Sequence, residues 1–252
     1  MSFGKKTYLT VIKTQPMENQ EKKVDQYYQI VASSTHFSAM QEQAIRELMS
    51  HFRFVSWKKG AIPFDEYDTH HKFYIILTGR IKVYQINENT GNEYTIEILH
   101  KGSLFDIICL LDSKKHFVLT EALDDVEALF APIYVVREAI MKHPEFNQTL
   151  FPYLGRRMRA YEEKATDLAL LNTWARTLKL FAKHLNIHQA SPNLKLINNL
   201  SHADLASIIG SARNVLNRHL QKLKKDDIID IERSHIYIKD AEALIRKYHR
   251  EK

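Results

Sequence analysis

Residues 200–223 read LSHADLASIIGSARNVLNRHLQKL, and this stretch decides the fold of the C-terminal part of the chain. Ser201 followed by Asp204 is typical of a helix N-terminus, because a hydroxyl and a first-turn carboxylate satisfy unpaired backbone N–H groups. Gly210 then supplies a turn, where a positive φ strains every residue except glycine. The next helix carries an apolar stripe of Val215, Leu216, Leu220 and Leu223. The pattern predicts a helix-turn-helix.

The opposite face of the second helix is polar and carries no acidic residue. Arginine can donate two hydrogen bonds to guanine, asparagine can pair with adenine, and the N-terminal residues of a recognition helix reach the bases. Arg213 and Asn214 are therefore expected to read bases first, followed by Arg218. The predicted DNA-binding residues are Ser201, Ser211, Arg213, Asn214, Asn217, Arg218, Gln221 and Lys222. Two short apolar runs, Ile228–Ile231 and Ile236–Ile238, predict a wing after this helix.

The positive charge of the chain is concentrated in its last third. The net charge is +6, yet residues 1–170 hold 21 Lys/Arg against 22 Asp/Glu, and residues 171–252 hold 15 against 8. A localised basic surface suits a phosphate backbone. Basic helices that only keep a domain soluble would give the same count.

The bulk composition is that of an ordinary globular protein. With 252 residues and 44% apolar content, the chain is long enough for two modest domains. No run approaches the ~18 consecutive apolar residues of a membrane span, and the N-terminus lacks a secretion signal. The single cysteine, Cys109, cannot form an intramolecular disulfide. These observations predict a cytoplasmic protein without a membrane partner.

Residues 54–136 show strand patterns rather than helical ones. The apolar run FYIIL at 73–77 ends at Thr78 and Gly79, and polar and apolar residues then alternate at 80–84. A hairpin turn signal follows at 88–92, after which the alternation resumes at 94–99. Short strands with regular turns predict an antiparallel sandwich or barrel. Upstream, residues 37–52 have helical spacing, and residues 1–25 are interpreted as a polar extension.

Helical periodicity returns beyond Pro144. Pro152 is expected to open a long helix, because proline is tolerated in a first turn. Apolar spacings of four and three continue to Asn172, and they predict a dimer seam of Leu154, Met158, Tyr161, Ala165 and Leu168. A helix packing on its own barrel would show the same spacing. A second helix is predicted from Thr173 to Leu185, with a break at residues 188–193.

With these elements in this order, the chain resembles the cyclic-AMP receptor protein and fumarate–nitrate regulator (Crp/Fnr) family of bacterial transcription factors, from about Phe37 onward. The most specific matches are GSARNVLNR at 210–218 and YIILTGRIKV at 74–83. The resemblance implies an α+β fold: an N-terminal antiparallel β-barrel of the cyclic-nucleotide-binding, cupin-like jelly-roll type, a dimerisation helix and a winged helix-turn-helix. The expected segments are an extension at 1–25, a sensor domain at 26–150, the dimerisation helix at 151–172 and the DNA-binding domain at 173–252.

The same resemblance implies the partners. Family members bind two-fold symmetric operators in double-stranded DNA as homodimers, and RNA polymerase is a further expected partner. Arg213 and Arg218 match the family's base- or phosphate-contacting arginines. Asn214 stands where many members carry glutamate, so the operator is expected to differ from theirs.

The effector site departs from the family pattern. Cyclic-nucleotide binders use Phe-Gly-Glu and a downstream Arg-Ser or Arg-Thr, whereas Asp106 replaces the glycine here and Ile107 the glutamate. The phosphate position falls near His116, and no arginine lies between Arg80 and Arg137. A buried phosphate needs a fixed cation or a helix N-terminus, so the expected effector is a small molecule or redox signal other than cyclic AMP. The predicted pocket residues are Phe105, Asp106, Cys109, His116, Thr120, Met158 and Tyr161.

Other functions are disfavoured, and no cofactor is assigned. One cysteine cannot hold an iron–sulfur cluster, while haem ligation by His70, His71 or His100 stays open. Cys109 is interpreted as a core residue, with a thiol sensor as the alternative. An enzyme of the cupin kind would need two histidines and a glutamate converging inside the barrel, and adjacent His70 and His71 on a strand would point to opposite faces. The remaining alternative is an effector-binding or protein-interaction module whose helix-turn-helix no longer reads DNA.

Overall fold

The computed structural model describes residues 27–32, 36–65, 68–186, 193–194, 196–232 and 235–251. The predicted extension at 1–25, most of the predicted break at 188–193 and the tip of the predicted wing lie outside these residues. Two compact units are present. The first comprises the described residues up to Ile81 together with Leu99–Pro152, and the second comprises Lys82–Ile98 together with the residues from Tyr153 onward.

The described elements are as follows, in chain order. The helices are α1 (Glu42–Ser50), α2 (Asp68–His71), α3 (Ile107–Asp112), α4 (Ile133–Lys142), α5 (Asn147–Leu170), α6 (Thr173–His184), α7 (His202–Ile208), α8 (Arg213–Lys225) and α9 (Ala241–Arg250). The strands are β1 (Arg53–Trp57), β2 (Lys72–Thr78), β3 (Ile81–Ile86), β4 (Glu93–Leu99), β5 (Leu104–Phe105), β6 (Leu119–Ala122), β7 (Val126–Pro132), β8 (Leu185–Asn186), β9 (Asn193–Leu194), β10 (Ile229–Glu232) and β11 (His235–Ile238). A helical segment also occupies residues 27–32, and a 3₁₀ turn occupies Pro144–Phe146.

The first unit is built on an antiparallel sheet with strand order β1-β7-β2-β5. Its centre is aromatic: the ring of Phe64 lies 4.3 Å from that of Tyr74 and 4.6 Å from that of Phe105, and all three side chains are buried. Gly79 has a φ of +78°, and an added Cβ would lie 2.4 Å from the carbonyl oxygen of Asp125. Only glycine fits this turn, which confirms the turn predicted at Thr78 and Gly79.

The second unit contains the winged helix-turn-helix. Ser201 caps α7, since its Oγ accepts a hydrogen bond from the backbone N–H of Asp204 at 3.1 Å. Gly210 has a φ of +60° between α7 and α8, and β10 pairs with β11 after α8. The core is apolar and includes Leu178, Phe181, Leu205, Leu216, Leu220, Leu223 and Leu244. The predicted helix-turn-helix and wing are confirmed, and with them the α+β fold class.

Two local predictions are wrong, and one geometric premise does not hold. The long helix begins at Asn147 rather than at Pro152, because the 3₁₀ turn that Pro144 opens runs directly into it and leaves Pro152 inside the helix. Asn172 does not continue the seam; its Oδ1 accepts from the N–H of Ala175 at 2.9 Å and caps α6. His70 and His71 lie in the helical turn α2 and not on a strand.

The described residues contain neither a membrane-spanning helix nor a metal-binding cluster. No described helix is long and apolar enough to cross a membrane. The described histidines, cysteine and carboxylates form no group that could hold a metal ion.

Candidate nucleic-acid interface

The exposed face of α8 is the candidate DNA-reading surface. The helix begins at Arg213, and Leu216, Leu220 and Leu223 fix it to the core because they are completely buried. Four predicted contact residues on the other side are exposed: Arg213, Asn214, Arg218 and Gln221. Within the described part of the chain, none of these four side chains is engaged in a hydrogen bond or an ion pair. They are free to donate to a ligand.

Lys222 is exposed as well, but it has a fixed position. Its ammonium lies 4.3 Å above the ring of Trp174, and the Trp174 ring meets His219 edge-on at 5.4 Å. Thr177 Oγ1 lies 2.9 Å from His219 Nδ1. Burial, with the neighbouring charges of Arg218 and Lys222, lowers the pKa of His219. A neutral imidazole therefore packs beneath the cationic face. Trp174 was not predicted to belong to this surface, since its helical spacing indicated only a core position.

Asn217 differs from its neighbours on α8. It is half-buried, and its Oδ1 lies 2.7 Å from His202 Nδ1 at the start of α7. This bond joins the two helices of the motif. Asn217 therefore orients α7 against α8, and its predicted contact with DNA stays a prediction.

Ser201 and Ser211 flank α7. The Ser201 hydroxyl donates to Asp204 Oδ2 at 2.6 Å, in addition to its capping role, and the backbone N–H of Ser211 donates to Ala206 O at 2.9 Å. Both residues thus stabilise the motif. Their predicted contacts with DNA stay predictions.

The cations of the second unit fall into two groups. Lys224 is paired with Asp230 at 2.7 Å, and Lys247 with Asp226 at 3.1 Å. No described carboxylate pairs with Arg213, Arg218, Lys222 or Lys225. These four cations lie along α8, so part of the basic excess of the sequence is available on the predicted reading face.

Five of the predicted effector residues belong to the first unit. Asp106 is only 1% exposed; its carboxylate accepts from the N–H of Ile108 at 3.1 Å and lies 2.7 Å from His116 Nδ1. Phe105 belongs to the aromatic core, and its ring centroid is 6.1 Å from that of His116. Thr120 Oγ1 bonds both backbone groups of Phe64 at 3.2 Å. These side chains already form a bonded and packed cluster.

Cys109 is completely buried, and its thiol donates to Lys114 O at 2.8 Å. Burial, reinforced by the nearby Asp106 carboxylate, raises the pKa of the thiol to about 12. The reactive species of a cysteine is the thiolate, so the geometry favours the core interpretation over the thiol sensor. The two remaining pocket residues, Met158 and Tyr161, lie on α5 in the second unit, and their place in a pocket stays a prediction.

The predicted seam runs along the outside of α5. Met158 is 70% exposed and Leu168 39%, Ala165 is exposed, and Leu154 and Tyr161 are half-buried. Further apolar side chains on this helix are exposed, including Phe151 and Leu170. Such an apolar helix surface is compatible with a partner helix, and dimerisation stays a prediction.

Two family models match the chain. The cyclic nucleotide-binding domain matches residues 54–143, and the Crp-like helix-turn-helix domain matches residues 175–247. The CRP-like cAMP-activated global transcriptional regulator of Mycobacterium tuberculosis is 22% identical over 222 residues, which cover 87% of this chain and 98% of that protein. The global nitrogen regulator of Nostoc sp. is 27% identical over 186 residues, 72% of this chain and 82% of that protein.

Solved structures share the fold. A CooA mutant from Carboxydothermus hydrogenoformans superimposes with a TM-score of 0.66 at 19% identity, covering 81% of this chain and 90% of that one. FixK2 from Bradyrhizobium japonicum gives a TM-score of 0.64 at 17% identity, covering 77% and 95%.

The fold and the open cationic helix define the class of winged helix-turn-helix DNA-binding proteins. More narrowly, the chain belongs to the Crp/Fnr family of transcription regulators. The names of its relatives specify different signals, cyclic AMP in one and nitrogen in another. Family membership therefore does not identify an effector for this chain.

Proposed function

We propose that the protein reads a two-fold symmetric operator as a homodimer in the cytoplasm, by inserting α8 of each protomer into the major groove. The open face of α8 carries this proposal: Arg213, Asn214 and Arg218 are exposed and unpaired among the described residues, and their donors match base edges. Arg213 and Arg218 lie free of carboxylates on the exposed face of this helix, which argues against a helix-turn-helix that no longer reads DNA. RNA polymerase belongs to the same proposal as a further partner.

The proposed protomer has four parts: an extension at 1–25, a sensor domain at 26–150, a dimerisation helix at 151–172 and a DNA-binding domain at 173–252. In the dimer, the seam residues of α5 meet their counterparts on the partner. Met158, the most exposed large apolar residue of the seam, would then change from 70% exposed to buried, and apolar burial of this kind drives helix pairing.

The proposed effector is not cyclic AMP in the usual pose. The carboxylate of Asp106 is buried beside His116, where the family's phosphate would fall, and a second buried anion there would be repelled. The arginines on either side of this stretch are engaged elsewhere: Arg80 pairs with Asp124 at 2.6 Å, and Arg137 donates to Leu110 O at 2.9 Å.

The test is a pair of charge-reversal variants with equal net charge. One variant carries Arg213→Glu and Arg218→Glu on α8; the matched control carries Lys59→Glu and Lys101→Glu, which are exposed in the first unit. Binding to labelled duplex DNA is measured by fluorescence anisotropy at several salt concentrations. We expect the α8 variant to lose binding at every salt concentration and the control to retain nearly all of it.

Equal losses in the two variants would mean that binding depends on net charge alone and that α8 is not the reading surface. Binding that survives in the α8 variant would mean that another surface contacts the DNA, and a wild-type protein that does not bind DNA would favour the interaction-module alternative. Thermal unfolding of both variants establishes that the substitutions leave the fold intact, as expected for exposed side chains.

A further inference from the structure

The β3–β4 hairpin is attached to the first helix of the DNA-binding motif by a buried ion pair. The side chain of Lys82, on β3, is only 4% exposed, yet its ammonium lies 2.9 Å from Asp204 Oδ1 on α7 and 2.8 Å from Glu93 Oε2 on β4. Burial opposes the charged form, but the hydrogen bonds to the two carboxylates hold the pKa of Lys82 above its usual value. The lysine therefore remains a cation between two anions.

A second buried contact lies beside this ion pair. Thr95 Oγ1, on β4, is 2.6 Å from Ser207 Oγ on α7, and both residues are buried. Buried hydroxyl pairs need defined geometry, because a hydroxyl without a partner loses its hydrogen bonds to water. Two polar contacts three residues apart on α7 thus fix both the position and the rotation of this helix on the hairpin.

The hairpin is also attached to α5. The ammonium of Lys164 donates to Thr95 O at 2.5 Å and to Ile96 O at 2.9 Å, and it lies 5.0 Å above the ring of Tyr94. Arg157, which lies about two helical turns before Lys164 on α5, is paired with Glu97 on β4. Side chains from α5 therefore hold β4, the second strand of the hairpin, through both its backbone carbonyls and its side chains.

The turn of the DNA-binding motif, at Gly210, lies against α5. A Cβ added at Gly210 would lie 2.9 Å from Leu168 Cδ2 and 3.6 Å from Tyr94 Cδ2. Arg176, at the start of α6, donates to Leu171 O at 2.6 Å and to Ile209 O at 2.8 Å. The hairpin, α5 and the motif thus contact one another pairwise and form a triangle.

A triangle of contacts restricts what the chain connection alone would allow. Only Leu171 and Asn172 separate α5 from α6, and rotation about their backbone bonds would swing the DNA-binding motif relative to α5. We propose that the β3–β4 hairpin is a brace that fixes this angle, and that Lys82 is its positioning residue, acting on DNA reading through Asp204. Resting on the proposed homodimer, the brace would set the distance and rotation between the two α8 helices, and so the spacing of half-sites that the dimer accepts.

The experiment compares spacing profiles on paired half-sites. The half-site spacing that the wild-type protein prefers is first obtained by selection from a random duplex pool. Operators with this spacing, and with one base pair added or removed, are then titrated by fluorescence anisotropy, together with a single half-site. One base pair turns the half-sites by about 34° around the duplex. A braced dimer is expected to lose about tenfold in affinity at the altered spacings, because DNA or protein must be deformed. The Lys82→Met protein is expected to lose only about twofold in affinity at the altered spacings, and its affinity for the single half-site should be unchanged.

Five further variants make the result specific. Lys82→Arg keeps the cation and is expected to show the narrow wild-type spacing profile. Asp204→Asn is expected to broaden the spacing profile. The double variant Lys82→Met/Asp204→Asn is expected to have a profile no broader than that of either single variant. Lys59→Met, an exposed lysine of the first unit, is the matched control with a wild-type profile. If Lys82→Met does not fold, Thr95→Val removes the second buried contact at nearly constant volume and tests the same broadening.

The outcomes separate the brace from the proposed function. A narrow wild-type profile that Lys82→Met and Thr95→Val both retain would overturn the brace alone. A gain in affinity at every spacing would also overturn it, since the contact would then be holding the motif away from DNA. A wild-type protein that binds paired half-sites no better than a single one would overturn the proposed homodimeric function and the brace with it.

Discussion

Replacing Arg213 by alanine should remove base discrimination without affecting the fold. Arg213 is the first residue of α8, exposed and without a partner among the described residues. A bidentate arginine–guanine contact contributes about 1–3 kcal/mol. A homodimer contains the substitution twice at well-separated sites, so the loss on a two-fold operator should reach about 2–6 kcal/mol. The lower limit is a decrease in affinity of about 30-fold.

Lys222→Ala is the matched comparison on the same helix. Its ammonium above Trp174 is a point charge suited to a phosphate. Its loss should weaken binding to all sequences alike and reduce the logarithmic salt slope by about 1 per protomer. Both variants are titrated by fluorescence anisotropy against the selected operator and its single-base variants over a salt series. The reasoning is refuted if Arg213→Ala weakens all sequences equally, or if it flattens the salt slope and leaves base preference unchanged.

Four further outcomes follow from single residues. Gly210→Ala should lower the free energy of unfolding by more than Gly60→Ala does in urea titrations. Both substitutions place a side chain at positive φ, which costs about 1–2 kcal/mol, but of the two only the one at Gly210 must also displace the Leu168 side chain. Equal losses of stability in the two variants would contradict this reasoning. Met158→Glu should convert the proposed dimer to monomers in sedimentation velocity, and an unchanged mass would exclude the proposed seam. Cys109 should resist a thiol reagent at pH 7 until the protein is unfolded, given its raised pKa; modification at the rate of a free thiol would contradict its burial. Burial lowers the pKa of Lys164 to about 8 from 10.5, so between these pH values the unfolded chain binds more protons than the folded one. The free energy of unfolding of the wild-type protein, relative to that of Lys164→Met, should therefore rise with pH in this range. Parallel pH profiles of stability for wild type and Lys164→Met would contradict the pKa shift.

Local chemistry made the DNA-binding motif predictable. The Ser201 cap, the positive φ at Gly210 and the leucine spacing of α8 each depend on residues within one or two turns. The hairpin turn between β3 and β4 is local in the same sense. The start of α5 was missed for a local reason too, because Pro144, and not Pro152, opens the helical run.

The contacts that position these elements were not predictable from pattern. Lys82 and Asp204 are 122 residues apart in sequence, and an ion pair at that separation leaves no periodic signal. The alternation of β3 indicated only that Lys82 faces away from the neighbouring apolar residues. The Asp106–His116 pair was likewise represented as two separate pocket residues, because nothing in the sequence shows that they bond to each other.

The central claim is that the protein is a dimeric reader of symmetric DNA, and selection of bound sequences from a random duplex pool tests it most directly. The purified full chain is used without added ligand, at low and at physiological salt. From the proposed homodimer we expect recovery of a two-fold symmetric site, with half-sites about one helical turn apart, and its loss in the Arg213→Ala protein. Recovery of unrelated sequences, or of a single unpaired half-site, would contradict the claim.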